Sequence, residues 1–255
     1  MTAMHQVNIE ESNNIAPASS SITRLSPQTI NCQVCDSLGG CLAKDMLVNH
    51  RHPDRTLKSN RGIKAGEHIF REGDISNALY VVRSGSVKSY LISNDGEEQV
   101  LGFYLPGDVF GLDGSEEHGR MSSAVTLETS TVCRLPIEDL DETGISKQLL
   151  KLTSNQLLRD HNLVLMLARK DADGRLASFI TDLSRRYQSR GYSAMAINLS
   201  MSRQDIGNYL GLAVETVSRT LTRFQDGGLI SVRRRSVEIL NLKGLQGIAG
   251  AQAWQ

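Results

Sequence analysis

The chain has 255 residues, 40% hydrophobic and 22% charged, and its 28 Lys+Arg balance 28 Asp+Glu to a formal net charge of +0. This length and apolar content suit two globular domains and exclude a chain too polar to bury a core. No run approaches the eighteen or more apolar residues of a membrane span. The polar, acidic start MTAMHQVNIEESNN also lacks the basic and apolar regions of a signal peptide, so a cytoplasmic protein with reduced thiols is expected.

Residues 1–30 are rich in Ser, Asn, Thr and Pro without periodicity, and a disordered N-terminus is expected there. The next stretch, NCQVCDSLGGC, carries Cys32, Cys35 and Cys41 as C-x2-C-x5-C, with the Gly39-Gly40 pair allowing a tight backbone. The only other cysteine is Cys133. Four thiolates with none left over can hold an iron–sulfur cluster or a tetrahedral zinc. A catalytic C-x-x-C pair or a reversible disulfide switch are the other readings, although no βαβ context surrounds Cys35. His5, His50, His52, His68, His118 and His161 are scattered and none is assigned as a ligand. No Ser–His–Asp order, phosphate loop or paired-carboxylate site stands out, so no enzymatic activity is expected.

Residues 60–137 read as short strands punctuated by glycines. ALYVVRSGSVKSYLI (78–92) predicts two strands about Ser84-Gly85, and Asn94-Asp95-Gly96 predicts the next turn. Regular strands with Gly turns imply a small antiparallel barrel or jelly roll. From 146 to 170 the period changes to helical, with leucines on more than one side and no Gly until Gly174. Such a pattern fits a helix that packs on its own domain and on a partner, which predicts a homodimer, with an ordinary core helix as the other reading. Leu157, Asp160, Val164 and Leu167 are the expected seam, with Asp160 on or beside it. Paired carboxylates there would oppose assembly and poise it near zero. A second amphipathic helix is predicted over 174–187.

The last third reads as a DNA-binding unit. From Asp173 to Gln255, eleven Lys+Arg stand against six Asp+Glu, a surplus of five positive charges that the rest of the chain cancels. In SRQDIGNYLGLAVETVSRTLTRFQ (202–225), Ser202 and Asp205 predict a capping box. Gly211 predicts the helix stop, and Leu212-Ala213 the turn. The second helix, from about Val214 to Gln225, turns Val217, Leu221 and Phe224 inward. Its other face gathers Glu215, Ser218 and Arg219, which suit base edges in the major groove. Arg203, Arg223 and the wing residues Arg233, Arg234 and Arg235 suit phosphates, in a hairpin of LISV (229–232) and VEIL (237–240).

Thiol loop, small barrel, long helix and winged helix, in that order, resemble the CRP/FNR superfamily, and specifically its FNR-type oxygen-sensing regulators. The likeness runs from about Asn31 to about Leu242. It is densest in VETVSRTLTRFQ, DIGNYLGL, RSGSVKSY, YLPGDVFG and the four cysteines. The resemblance implies an α+β chain: a cyclic-nucleotide-binding-like antiparallel β-barrel/jelly roll, a long dimerisation helix and a C-terminal winged helix-turn-helix. It implies a [4Fe–4S] cluster on Cys32, Cys35, Cys41 and Cys133 that oxygen degrades. It also implies a dimer on double-stranded DNA with TTGAT half-sites read by Glu215, Ser218 and Arg219, and contact with RNA polymerase.

The CRP branch instead clamps a cyclic nucleotide with a Gly-Glu pair and a later Arg-Ser pair. Here those positions read Gly111-Leu112-Asp113 and Ser122-Ser123, with Arg120 close by, so no cyclic nucleotide is expected. Ala213 departs from the Ser or Thr of many relatives, a change of roughly 1 kcal/mol in helix capping. The expected organisation is a disordered N-terminus over 1–30, a cysteine loop and barrel sensor over 31–145, a dimerisation helix over 146–172, and a winged helix-turn-helix DNA-binding domain over 173–255. The alternative is a CRP-like regulator of another small ligand, with zinc on the cysteines.

Overall fold

Glycine turns set the strand lengths in the first half of the computed structural model, which describes residues 28–31, 56–115, 117–137 and 146–250. β1 (Gln28–Asn31) and β2 (Thr56–Ile63) are followed by β3 (His68–Phe70), β4 (Ala78–Ser84), β5 (Val87–Ile92) and β6 (Glu98–Tyr104). Then come β7 (Val109–Phe110), β8 (Gly114–Ser115), β9 (Gly119–Arg120), β10 (Ser123–Thr126) and β11 (Ser130–Pro136). The β4–β5 turn needs glycine for two reasons. Gly85 has φ +80°, and a Cβ there would stand 2.3 Å from Ser130 Oγ.

The strands form an antiparallel sandwich with sheets ordered β1-β2-β11-β4-β7 and β3-β10-β5-β6. Between them Phe70, Val82, Val87, Phe110, Ala124 and Val132 are buried. Residues 28–30, assigned by composition to a disordered N-terminus, instead lie in strand β1, which pairs with β2. Thr29 and Ile30 favour an extended chain, and β2 offers an open edge that composition cannot reveal.

A 24-residue helix, α1 (Ser146–Arg169), leads to α2 (Ala172–Gln188). β12 (Ala196–Asn198), α3 (Arg203–Leu210), α4 (Val214–Asp226), β13 (Ile230–Arg233), β14 (Ser236–Ile239) and α5 (Leu242–Ala249) complete a winged helix. The sequence gives little warning of β12, which has three residues, or of α5, whose Gly244 and Gly247 lower helix propensity. Asn241 caps α5 by accepting from Gly244 N at 2.8 Å, and Leu245 and Ala249 are buried. Among the described residues no helix is long and apolar enough to cross a membrane.

The sandwich and the winged helix share one core. Val100, Phe103 and Leu105 belong to the same apolar cluster as Phe179, Ile206, Leu221 and Phe224. Polar clamps flank it. Asp108 accepts from Arg186 at 2.6 Å and from Arg190 at 2.5 Å. Lys88 Nζ reaches Glu98 at 2.5 Å and Asp205 at 2.6 Å, and the Ser86 and Ser200 hydroxyls are hydrogen-bonded at 2.7 Å.

Candidate nucleic-acid interface and thiol site

Helix α3 starts where the sequence predicts. Ser202 Oγ accepts from Asp205 N at 3.0 Å, and Asp205 Oδ2 accepts from Ser202 N at 2.8 Å. Gly211 ends the helix at φ 61°, ψ 43°. Gly207 allows the turn to close, since a Cβ there would stand 2.6 Å from Leu212 O. Ala213 leaves the N-terminus of α4 without a side-chain cap, and Glu215 supplies the acidic residue of its first turn.

Val217, Leu221 and Phe224 are buried as predicted, with Thr220 beside them. Glu215, Ser218 and Arg219 are exposed together on the outer face of α4. Ser218 Oγ donates to Val214 O at 3.0 Å, and Arg219 Nη2 stands 3.5 Å from Thr216 Oγ1. Arg234 and Arg235 form the wing tip between β13 and β14, with Arg233 at the strand end, and all three are exposed. Arg234 has φ 56°, the only positive φ at a non-glycine among the described residues.

Two of the predicted phosphate ligands are less free. Arg203 is half-buried, and that burial lowers its pKa. Arg223 is engaged in a close ion pair with Asp173 of α2 and donates to Thr220 Oγ1 at 2.9 Å. Asp173 lies just before the helix predicted over 174–187, and the structure places it in the first turn of α2.

On α1, Leu150, Leu157 and Val164 recur every seventh residue, and all are exposed, Leu157 by 54%. Leu158 and Leu165 widen this stripe, with His161 between the two rows. The opposite side carries Leu152 and Met166, which are buried. Asp160 is exposed beside the stripe and accepts from Gln156 Nε2 at 2.8 Å. It also lines a cavity of about 50 Å³ together with Arg159, Tyr104, Asp182 and Tyr209. Burial pushes the Tyr209 hydroxyl up to about 12. Leu167 is half-buried, facing the Gly211 turn. The structure thus aligns Leu157 and Val164, leaves Asp160 exposed at the edge of their stripe, and sets Leu167 against the Gly211 turn.

Cys133 lies on β11, 7% exposed, in a cluster with Leu79, Val81, Val109, Leu135 and Leu152. In the sheet Cys133 faces Ser59, and Ser59 faces Gln28 on β1. β1 ends at Asn31, so the chain enters the thiol loop two strands from Cys133. Cys32, Cys35 and Cys41 lie outside the described residues. Among the described residues no group of three or more His, Cys, Asp or Glu gathers as a metal site. Across β2, Cys133 is level with Gln28, the first residue of β1, and its thiol is buried.

The residues expected at the nucleotide-clamp positions bond within the chain. Asp113 Oδ2 accepts a close hydrogen bond from Ser122 Oγ. Arg120 is 1% exposed and donates to Gly111 O at 2.6 Å and to Ala78 O. Its guanidinium lies 4.4 Å from the Phe70 ring centroid.

Two family models match, the cyclic nucleotide-binding domain over residues 60–144 and the Crp-like helix-turn-helix domain over 174–248. The chain is 43% identical to the transcriptional activator protein Anr of Pseudomonas aeruginosa, covering 90% of this chain and 96% of that protein. It is 39% identical to the fumarate and nitrate reduction regulatory protein of Salmonella typhi, over 87% of this chain and 91% of that one. The solved structure of FixK2 from Bradyrhizobium japonicum superposes with a TM-score of 0.71 at 30% identity, covering 76% of this chain and 98% of that one.

Proposed function

The chain belongs to the CRP/FNR family of transcription regulators, and from that premise we propose that it is an oxygen-responsive activator of anaerobic gene expression. It works in the cytoplasm as a homodimer on palindromic DNA and contacts RNA polymerase. Residues 31–145 form the sensor, 146–172 the dimerisation helix and 173–255 the DNA-binding domain.

Cys32, Cys35, Cys41 and Cys133 hold a [4Fe–4S] cluster, which when bound supplies an oxygen-labile centre. The observation that carries this reading is the place of Cys133. Its thiol shares an apolar cluster with Leu152, and Leu149 packs against the same cluster, so one ligand position touches the start of α1. Packing around Cys133 therefore bears on the helix that presents Leu150, Leu157 and Val164 to a second copy.

DNA recognition divides between two surfaces. Glu215, Ser218 and Arg219 read TTGAT-type half-sites through base edges, with Arg219 suited to guanine O6 and N7 and Glu215 to cytosine N4. Arg233, Arg234 and Arg235 bind phosphates beside the groove, as does Arg203 at the start of α3. Arg223, held by Asp173, contributes by bracing α4. Cyclic nucleotide is not the signal, because Arg120 and Asp113 are engaged with Gly111, Ala78 and Ser122.

The test is an absorption spectrum of protein purified without oxygen, followed as air is admitted while sedimentation reports the dimer. A visible band that bleaches together with dimer loss, and that is missing in Cys133→Ser, is expected. A colourless, air-stable protein carrying one zinc per chain would overturn the oxygen reading.

A further inference from the structure

Arg175, in the first turn of α2, joins the ends of two other helices. Its Nη2 donates to Leu167 O at 2.8 Å and its Nε to Lys170 O at 2.9 Å, at the C-terminus of α1. Its Nη1 donates to Leu210 O at 3.0 Å and Gly211 O at 3.3 Å, at the C-terminus of α3. Carbonyls at helix C-termini lack intrahelical partners, and each helix directs the negative end of its dipole there. One planar guanidinium therefore meets two electronegative helix ends. A lysine ammonium lacks the fork that addresses both at once.

The seat is close on the other side as well. A Cβ at Gly211 would lie 3.5 Å from Arg175 Nη1 and 3.8 Å from Leu167 Cδ2. Only Leu212 and Ala213 separate Gly211 from Val214, the first residue of α4. The chain also breaks between α1 and α2 at Lys170 and Asp171, so the same guanidinium spans this break and the turn before α4.

We infer that Arg175 is a positioning residue that fixes the placement of α4 relative to α1, and through it the half-site spacing the dimer accepts. This rests on the proposed reading of a dimer joined through α1 with one α4 in each half-site. In such a dimer the separation of the two copies of α4 is set by the path from α1 to α4. Half-sites one DNA turn apart are about 34 Å from centre to centre, and one base pair is about a tenth of that. A loosened α1–α4 link therefore widens the range of spacers bound.

The experiment uses full-length holoprotein under anaerobic conditions and palindromes with spacers one base pair shorter, unchanged, one longer and two longer. Affinity is read by fluorescence anisotropy at fixed salt. Wild-type protein should favour one spacer by about tenfold or more, the scale of a single misfitted contact. Arg175→Lys and Arg175→Met should compress that ratio to roughly threefold or less, while sedimentation still reports dimers. Variants that bind more weakly at every spacer, with the wild-type ratio kept, would make Arg175 a stabilising residue only and overturn the inference. If Arg175→Met does not fold, Arg175→Lys and Gly211→Ala carry the same comparison. Wild-type protein that binds no spacer would instead remove the dimer-on-DNA reading, a failure visible before any variant is made.

Discussion

Lys88 on the barrel strand β5 donates to Asp205, the capping-box carboxylate of helix α3, at 2.6 Å. The two side chains are 12% and 13% exposed, so the contact is largely shielded from water. Burial would raise the Asp205 carboxyl, but the Lys88 ammonium and the Ser202 hydroxyl outweigh it and hold it below the usual carboxylate range. One side chain of the β-sandwich is thereby bonded to the first turn of the helix-turn-helix.

Lys88→Met should cost about 2 kcal/mol, because it leaves Asp205 with its cap bonds but no counter-ion. Urea unfolding would register this as a lower midpoint. A transition that splits in two in the variant but not in the wild type would further show that Lys88 couples the two units.

Asp108 makes the stronger clamp, with Arg186 and Arg190 both on it. Burial acts to raise its carboxyl, and the Arg186 and Arg190 guanidiniums overcome this and lower it. Asp108→Asn should destabilise the protein by roughly 3 kcal/mol, since two mostly buried cations lose their carboxylate. The sign of the pH dependence follows from the lowered folded values of Asp108 and Asp205. Their contribution is fully present above the ordinary carboxylate pKa of about 3.9 and is lost as pH falls through the lower folded value. Thermal melts should therefore hold steady down to about pH 4 and then fall, less steeply in Asp108→Asn.

The two DNA surfaces should separate in binding assays. Arg219→Ala should weaken the best site by about 1–3 kcal/mol and relax choice at one base pair. Arg234→Ala should keep base choice and reduce the salt slope by about 1. Competition with single-base variants and a salt titration measure these directly. An equal loss for both variants on every sequence would show that Arg219 is another phosphate contact.

Exposure on α1 predicts opposite behaviour for neighbouring leucines. Leu157, 54% exposed, should tolerate Glu in the monomer while losing the dimer. Leu152, 7% exposed, should lose about 2–4 kcal/mol of stability on change to Ala. Asp160→Ala should give dimers and DNA binding in air, because it removes a carboxylate from the edge of the stripe. Sedimentation of the three variants, with and without oxygen, checks all of this, and an air-exposed Asp160→Ala monomer would remove Asp160 from the switch.

Local chemistry carried most of what the sequence alone made legible. Ser202, Asp205 and Gly211 mark the limits of α3 because capping and the left-handed stop depend on only a few neighbouring residues. The spacing of Val217, Leu221 and Phe224 fixes which side of α4 is inward, and therefore leaves Glu215, Ser218 and Arg219 outward. Glycine turns announced the strands of the sandwich in the same way. The short helix α5 escaped notice because its glycines suppress the local signal and its packing on α2 comes from elsewhere in the chain.

The partners of individual charges were decided by tertiary structure. Asp108 meets Arg186 and Arg190 across about eighty residues, Arg223 is taken up by Asp173, and Arg175 reaches two helix ends at once. A helical pattern also reports that α1 has two apolar sides, but not that Leu152 and Met166 face inward while Leu150, Leu157 and Val164 remain uncovered. The physical reason is range. Caps, turns and amphipathic faces are set by neighbours within a few residues, whereas ion pairs and shared cores depend on which distant surfaces the fold brings together.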